Sequence, residues 1–175
     1  MRRIFLLLLC CIFLAVPLGA EPAEKYVALT FDDGPSGRYT EALLNGLQQR
    51  DVKATFLLCG YRMEDFPALT QRICREGHEV GYHGFSHDSM DTMSRRKIAE
   101  ELEKCGMLLP EGCRPVFLRP PGGKVSDGVR QVAEVRLLGI LKWSVDPRDW
   151  ATHDAPKVID HVLKTVQDGD VILVL

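Results

Sequence analysis

A chain of 175 residues has room for one domain with a real core, and 46% hydrophobic with 26% charged residues is an ordinary globular composition. Its 22 basic and 24 acidic side chains nearly balance, and without the first twenty residues, which hold Arg2 and Arg3, the net charge is about −4. That balance gives no support for a nucleic-acid partner, whose backbone needs a basic stripe, and none is expected.

The N-terminus begins with Arg2 and Arg3, continues as "IFLLLLCCIFLAV" and closes with "PLGA". A basic start, an apolar run and a small residue at Ala20 read as a secretory signal over residues 1–20. Leu18 sits where a small residue is preferred, so an uncleaved membrane anchor is the alternative, although the run is short for a span. Cys10 and Cys11 read as apolar filler. The chain is therefore expected to be exported: extracellular, cell-wall associated or anchored facing outward. Contact with a membrane is expected only through this segment.

From residue 25 to 175 no repeat or linker interrupts the chain, which is read as one domain. "YVALTF" (26–31) predicts a strand, and "YTEALLNGLQQR" (39–50) an amphipathic helix with Leu43, Leu44 and Leu47 on one stripe. "KATFLLCG" (53–60) predicts a buried strand, "FPALTQRICREG" (66–77) a helix ending at Gly77, and "HEVGYHG" (78–84) a short strand opening into a loop. "SRRKIAEELEKCGMLL" (94–109) is the clearest helix, with Ser94 as its cap. "VFLRPPGG" (116–123) reads as a strand and a loop, "SDGVRQVAEVRLLG" (126–139) as a helix and "ILKWSVD" (140–146) as a strand. "APKVIDHVLKTVQDG" (155–169) is helical, with Pro156 in its first turn, and "DVILVL" (170–175) is a last strand.

Such alternation predicts an α/β fold of mostly parallel strands. The unusual polar residues fall at the C-terminal ends of predicted strands: Asp32 and Asp33, His83 and His87, Arg119, Asp146 and Asp149. Open α/β sheets and barrels place their sites there. Of the four cysteines beyond the leader, Cys105 and Cys113 bracket a short stretch that a disulfide could close, and Cys59 reads equally as a buried thiol or a bridge. None has the close paired spacing of a structural zinc site.

Two imidazoles four residues apart in "HGFSH" (83–87) can close on one ion if the loop curls into a helical turn. A carboxylate would complete a His-His-carboxylate face with a position left open, the arrangement of a catalytic metal. That gives the adjacent Asp32 and Asp33 a purpose where "LTFDDGP" ends a strand. One carboxylate can bind the ion while its neighbour acts as a base, the cation offsetting their repulsion. Arg119 can hold a carboxylate ionised. Trp150 can floor a sugar-binding groove or pack in the core.

"TFDDGP" (30–35), "HGFSH" (83–87), "RPPGG" (119–123) and "DPRDW" (146–150), in that order, resemble the motifs of the polysaccharide deacetylases, the NodB-homology domain of carbohydrate esterase family 4. The resemblance runs from about Tyr26 to the C-terminus and implies a distorted (β/α) barrel of about seven strands with the last strand at the chain end. It implies metal-dependent removal of acetyl groups from N-acetylated sugars of a cell-wall polysaccharide, peptidoglycan or a chitin-like polymer. Asp32 is then the general base; Asp33, His83 and His87 are the metal ligands; Arg119 orients Asp32; and Asp149 supports the catalytic site. Tyr39 would offer its backbone N–H to the oxyanion, with Trp150 and Pro120 at the substrate. Zinc is the default metal, and cobalt or nickel suits the same donors.

Three departures from the family pattern carry expectations. Gly84 replaces a hydroxyl residue, which predicts a looser loop. Gly122 and Gly123 replace a residue that is often aromatic, which predicts a wider groove. Leu175 falls where the family has a histidine acting as general acid, so either that position is substituted or the sequence is cut just short. Losing a general acid typically costs about 10²–10⁴-fold, less for an ester than for an amide. An O-acetyl esterase and a catalytically impaired carbohydrate-binding protein on the same fold are the alternatives.

Overall fold

The computed structural model describes residues 24–152 and 154–175; the expected signal or anchor over residues 1–20 lies outside them. Strands β1 (Ala28–Gly34), β2 (Thr55–Leu58), β3 (Glu79–Tyr82), β4 (Phe117–Leu118), β5 (Gly139–Ile140) and β6 (Val171–Val174) form one sheet in the order β5-β4-β3-β2-β1-β6. Every pairing is parallel. A parallel sheet must be covered on both faces, and β2, "TFLL", is accordingly buried at every residue.

The helices are α1 (Gly37–Gln49), α2 (Gly60–Asp65), α3 (Pro67–Arg75), α4 (Arg95–Met107), α5 (Asp127–Val135) and α6 (Ala155–Thr165). Ser94 and Ser126 cap α4 and α5 by accepting from Lys97 N and Val129 N. Leu44 of α1, Ile73 of α3, Ile98 and Leu102 of α4 and Val129 of α5 pack with Phe56, Leu58 and Leu118 of the sheet in a fully buried core. The short helix α2 was not legible in the sequence, where Gly60 read as the end of a strand. Among the described residues no helix is long and apolar enough to cross a membrane.

The barrel closes at a seam. The segment expected to be one strand over 140–146 divides: Leu141 N bonds Leu118 O on β4, whereas Val145 makes a single parallel bridge to Ile172 of β6 at the opposite edge. Only three residues separate Leu141 from Val145, a reach that forces the two edges together. The carbonyls of Leu141 and Lys142 bond Arg119 Nε and Nη2 at 3.1 and 3.2 Å instead of a neighbouring strand. The distorted barrel therefore has six strands rather than about seven, with Val145 adding an isolated bridge.

The cysteine pairing differs from the short Cys105–Cys113 loop that the sequence allowed. Cys74 bonds Cys113, joining the end of α3 to the approach of β4, with Cα atoms 5.8 Å apart. Cys105 instead points from α4 into the core, and Cys59 is the buried free thiol of the two alternatives.

Candidate active site

The site begins with the end of β1. In an extended strand, neighbours point to opposite faces, so Thr30 and Asp32 point inward together. Asp33 breaks the alternation: its φ of +65° is left-handed, a conformation that Asp tolerates better than most residues. The turn brings the second carboxylate to the same pocket as the first.

His83 directly follows β3 and is 2% exposed. Its Nδ1 lies 2.7 Å from the carbonyl oxygen of Arg119. A carbonyl only accepts, so Nδ1 carries a proton, and in the neutral ring Nε2 presents a lone pair to the pocket. That lone pair faces Asp33 Oδ1 at 3.2 Å, and His87 Nε2 stands 3.0 Å from the same oxygen. Asp33 Oδ1 is buried without a hydrogen-bond partner among the described residues. Acceptors held this close call for a cation between them, a proton on an imidazole nitrogen or a metal ion. The three donor atoms lie within 4.8 Å of one another, and an oxygen with two imidazole nitrogens is a donor set that suits a divalent transition metal. The ligand loop is not the helical turn expected for two histidines four apart: His87 and Gly84 both have positive φ, at +64° and +89°.

Arg119, fully buried, crosses the barrel interior from the end of β4 to donate from Nη1 to Thr30 Oγ1 at 2.8 Å and Asp32 Oδ1 at 2.6 Å. Asp32 Oδ2 lies 3.8 Å from His83 Nε2, too far for a hydrogen bond, and stays free toward the pocket. Burial pushes the Asp32 carboxyl above its ordinary value, the Asp33 charge adding while His83 and Arg119 oppose. Burial also works to raise Asp33, but the positive charge of His83 when its ring is protonated, with that of His87 and of Arg62, outweighs it and holds Asp33 low.

A cavity of about 310 Å³ opens over these groups, lined among others by Asp32, Asp33, Ser36, Tyr39, Arg62 and Leu175. Tyr39 is the third residue of α1, so its N–H is one of the donors that a helix leaves unpaired. Asp149 opens a 3-10 turn and accepts from Leu175 N at 2.8 Å, while its Oδ1 is buried without a partner among the described residues. Trp150 is 57% exposed rather than packed in the core, with the Arg148 guanidinium over its ring. Pro120 is buried behind Arg119. The two glycines differ: a side chain at position 122 would meet nothing within 4 Å, whereas one at position 123 would meet the Trp143 ring at 2.5 Å.

Sequence reasoning missed Thr30, Arg62 and Trp143. Strand alternation places Thr30 beside Asp32 and could have found it. Arg62 lies on the unforeseen α2.

A family model described as polysaccharide deacetylase matches residues 19–138. A peptidoglycan-N-acetylglucosamine deacetylase of Bacillus cereus is 35% identical over 86% of this chain and 72% of its own length. A second protein of that name from the same organism is 38% identical over 84% of this chain, which spans just over half, 54%, of its length. The solved structure of the peptidoglycan deacetylase PdaC from Bacillus subtilis superposes with a TM-score of 0.81 at 32% identity, covering 89% of this chain and 76% of that one.

Proposed function

This chain belongs to the polysaccharide deacetylase family, and from that premise we propose that residues 25–175 form a domain that hydrolyses acetyl groups from N-acetylated sugars of a cell-wall polysaccharide, peptidoglycan or a chitin-like polymer. The observation that carries the proposal is the bare Asp33 oxygen facing the Nε2 atoms of His83 and His87, with the Asp32 carboxylate beside it. Asp33, His83 and His87 would hold a divalent ion, zinc by default with cobalt or nickel suited to the same donors. Such an ion supplies a Lewis acid for the acetyl carbonyl and lowers the pKa of the attacking water.

The chain's own residues do the rest. Asp32 Oδ2 takes the proton of the attacking water, and its raised pKa makes it the stronger base. Arg119 fixes Asp32 Oδ1 and opposes its protonation. The Tyr39 N–H donates to the oxyanion as negative charge grows there. Asp32, once protonated, carries the proton that the departing amine needs. Asp149 steadies the wall of the pocket through Leu175 N, and Trp150 and Pro120 shape the approach of the sugar. The leader, as signal or anchor, delivers the domain outside the cytoplasm.

Leu175 beside Asp149 favours a second reading, an O-acetyl esterase, because an alkoxide leaves with less help from an acid than an amine does. Acetate release by the purified protein with added zinc tests both. N-acetylglucosamine oligomers, peptidoglycan and O-acetylated sugars are the substrates, and Asp32→Asn is the blank. Release from the amides above the blank is expected; release from esters alone would favour the esterase. No release, with zinc bound and sugar retained, would leave a carbohydrate-binding protein.

A further inference from the structure

We propose that Glu101 is a positioning residue that holds the His83–His87 loop in the shape that lets both histidines face one ion. The proposal rests on the reading of Asp33, His83 and His87 as metal ligands.

The loop, with left-handed residues at Gly84 and His87, has its backbone groups satisfied from outside it. Its carbonyls are met from one side: Gly60 N bonds Gly84 O at 2.9 Å and Tyr61 N bonds Phe85 O at 3.1 Å, both from the first turn of α2. Two of its backbone donors and one hydroxyl are met from the other side by a single atom. Glu101 Oε2 accepts from Phe85 N at 3.0 Å, Ser86 N at 2.8 Å and Ser86 Oγ at 3.0 Å. Ser86 Oγ in turn accepts from Asp88 N. The remaining oxygen, Oε1, is 3.2 Å from Lys97 Nζ, one turn back on α4.

The setting marks Glu101 as unusual. It is 2% exposed, and its neighbours on the same face of α4, Ile98, Leu102 and Cys105, are apolar and fully buried. Burying a carboxylate is unfavourable unless it is paired and hydrogen-bonded, and an apolar residue would serve the core as well. What this carboxylate adds is a hold on the two residues lying immediately before His87. It also stands in for the hydroxyl whose loss at Gly84 predicts a looser loop; a side chain at 84 would instead collide with Met90 Cε at 2.9 Å. Glu101 touches neither the ligand atoms nor the cavity, and acts through the loop.

The test is zinc affinity, by competition with a chromophoric chelator, and the visible spectrum of the cobalt-loaded protein, for the full chain and four variants. Glu101→Ala is expected to weaken zinc binding about 10–100-fold, the usual effect of losing an outer partner of a ligand, and to alter the cobalt spectrum. Glu101→Asp, which keeps the charge but falls one methylene short, should do the same to a smaller degree and serves if Glu101→Ala does not fold. Glu101→Gln, which retains an acceptor oxygen, should restore most of the affinity. Leu102→Ala, on the same helix, should lower the unfolding temperature yet leave zinc affinity and the cobalt spectrum unchanged. A folded Glu101→Ala or Glu101→Asp that binds zinc as the parent does, with the parent's cobalt spectrum, overturns the proposal. So does an equal loss of affinity in Leu102→Ala. If the parent itself binds neither metal, the ligand reading fails first and this proposal falls with it.

Discussion

Arg119 Nη1 and Asp32 Oδ1 meet at 2.6 Å inside the barrel, with side-chain exposures of 0% and 3%, and the same guanidinium bonds the carbonyls of Leu141 and Lys142 at the seam. One side chain therefore fixes the proposed base and fastens the barrel. Breaking a buried pair by removing one partner costs about 3–5 kcal/mol, so Arg119→Gln should lose about that much in urea unfolding. The same variant should move the acid limb of the activity profile. Arg119 lowers the Asp32 pKa against burial, so removing it raises that pKa. A base works only when ionised, and the limb must shift to higher pH. A pH–rate profile with an unmoved acid limb would mean that Asp32 is not the titrating base.

The two aspartates are expected to separate cleanly. Asp33→Ala and His87→Ala should each weaken zinc binding in calorimetric titration, because each removes one of three donors. Asp32→Asn should keep the metal and lose about 10²–10⁴-fold in turnover. If Asp32→Asn instead empties the site, the roles given to the two residues are wrong.

Glu101 makes stability depend on acid. Burial works against its charge, but the bonds from Ser86, Lys97 and Phe85 outweigh it and hold its pKa below the ordinary value. A folded pKa lying below the unfolded one, about 4.3, gives stability that is full above the unfolded value and lost as pH falls through the folded one. Urea midpoints of the parent and Glu101→Gln should thus differ most near neutrality and converge in acid below about pH 4. A constant gap down to pH 3 would exclude an ionised Glu101 as the source.

The disulfide should matter for stability and not for the site. It joins cysteines 39 residues apart, for which chain entropy gives about 4 kcal/mol. It ties α3 to the approach of β4, at the N-terminal edge of the sheet, whereas the ligands stand at the C-terminal ends of strands. Replacing Cys74 and Cys113 by serine should lower the denaturation midpoint and leave zinc affinity as it was.

Much of this was legible because the signals were local. Ser94 caps its helix as its position implies, and of the seven strand-end polar residues five, Asp32, Asp33, His83, His87 and Arg119, do converge at one site, while Asp146 and Asp149 accept from Arg148 N and Leu175 N. The misses are non-local. Cysteine spacing does not fix connectivity, so Cys113 found Cys74 rather than Cys105. The strand over 140–146 was interrupted by a side chain from β4 that takes its carbonyls. Glu101 did leave a trace: it sits three after Ile98 and four before Cys105, a charge on an apolar stripe. Its partners, fifteen residues upstream, were not visible from the helix alone.

The left-handed turn at Asp33 sets the comfort of the chain against its use. For most residues that conformation costs about 1–2 kcal/mol, and glycine accepts it freely while giving up a similar amount through a looser unfolded state. A chain with Asp33→Gly should therefore fold about as well as the parent and bind zinc more weakly, as Asp33→Ala should. Folding alone has no reason to prefer aspartate here; on the proposed reading the requirement comes from the ion, and a screen for stability would not detect its loss.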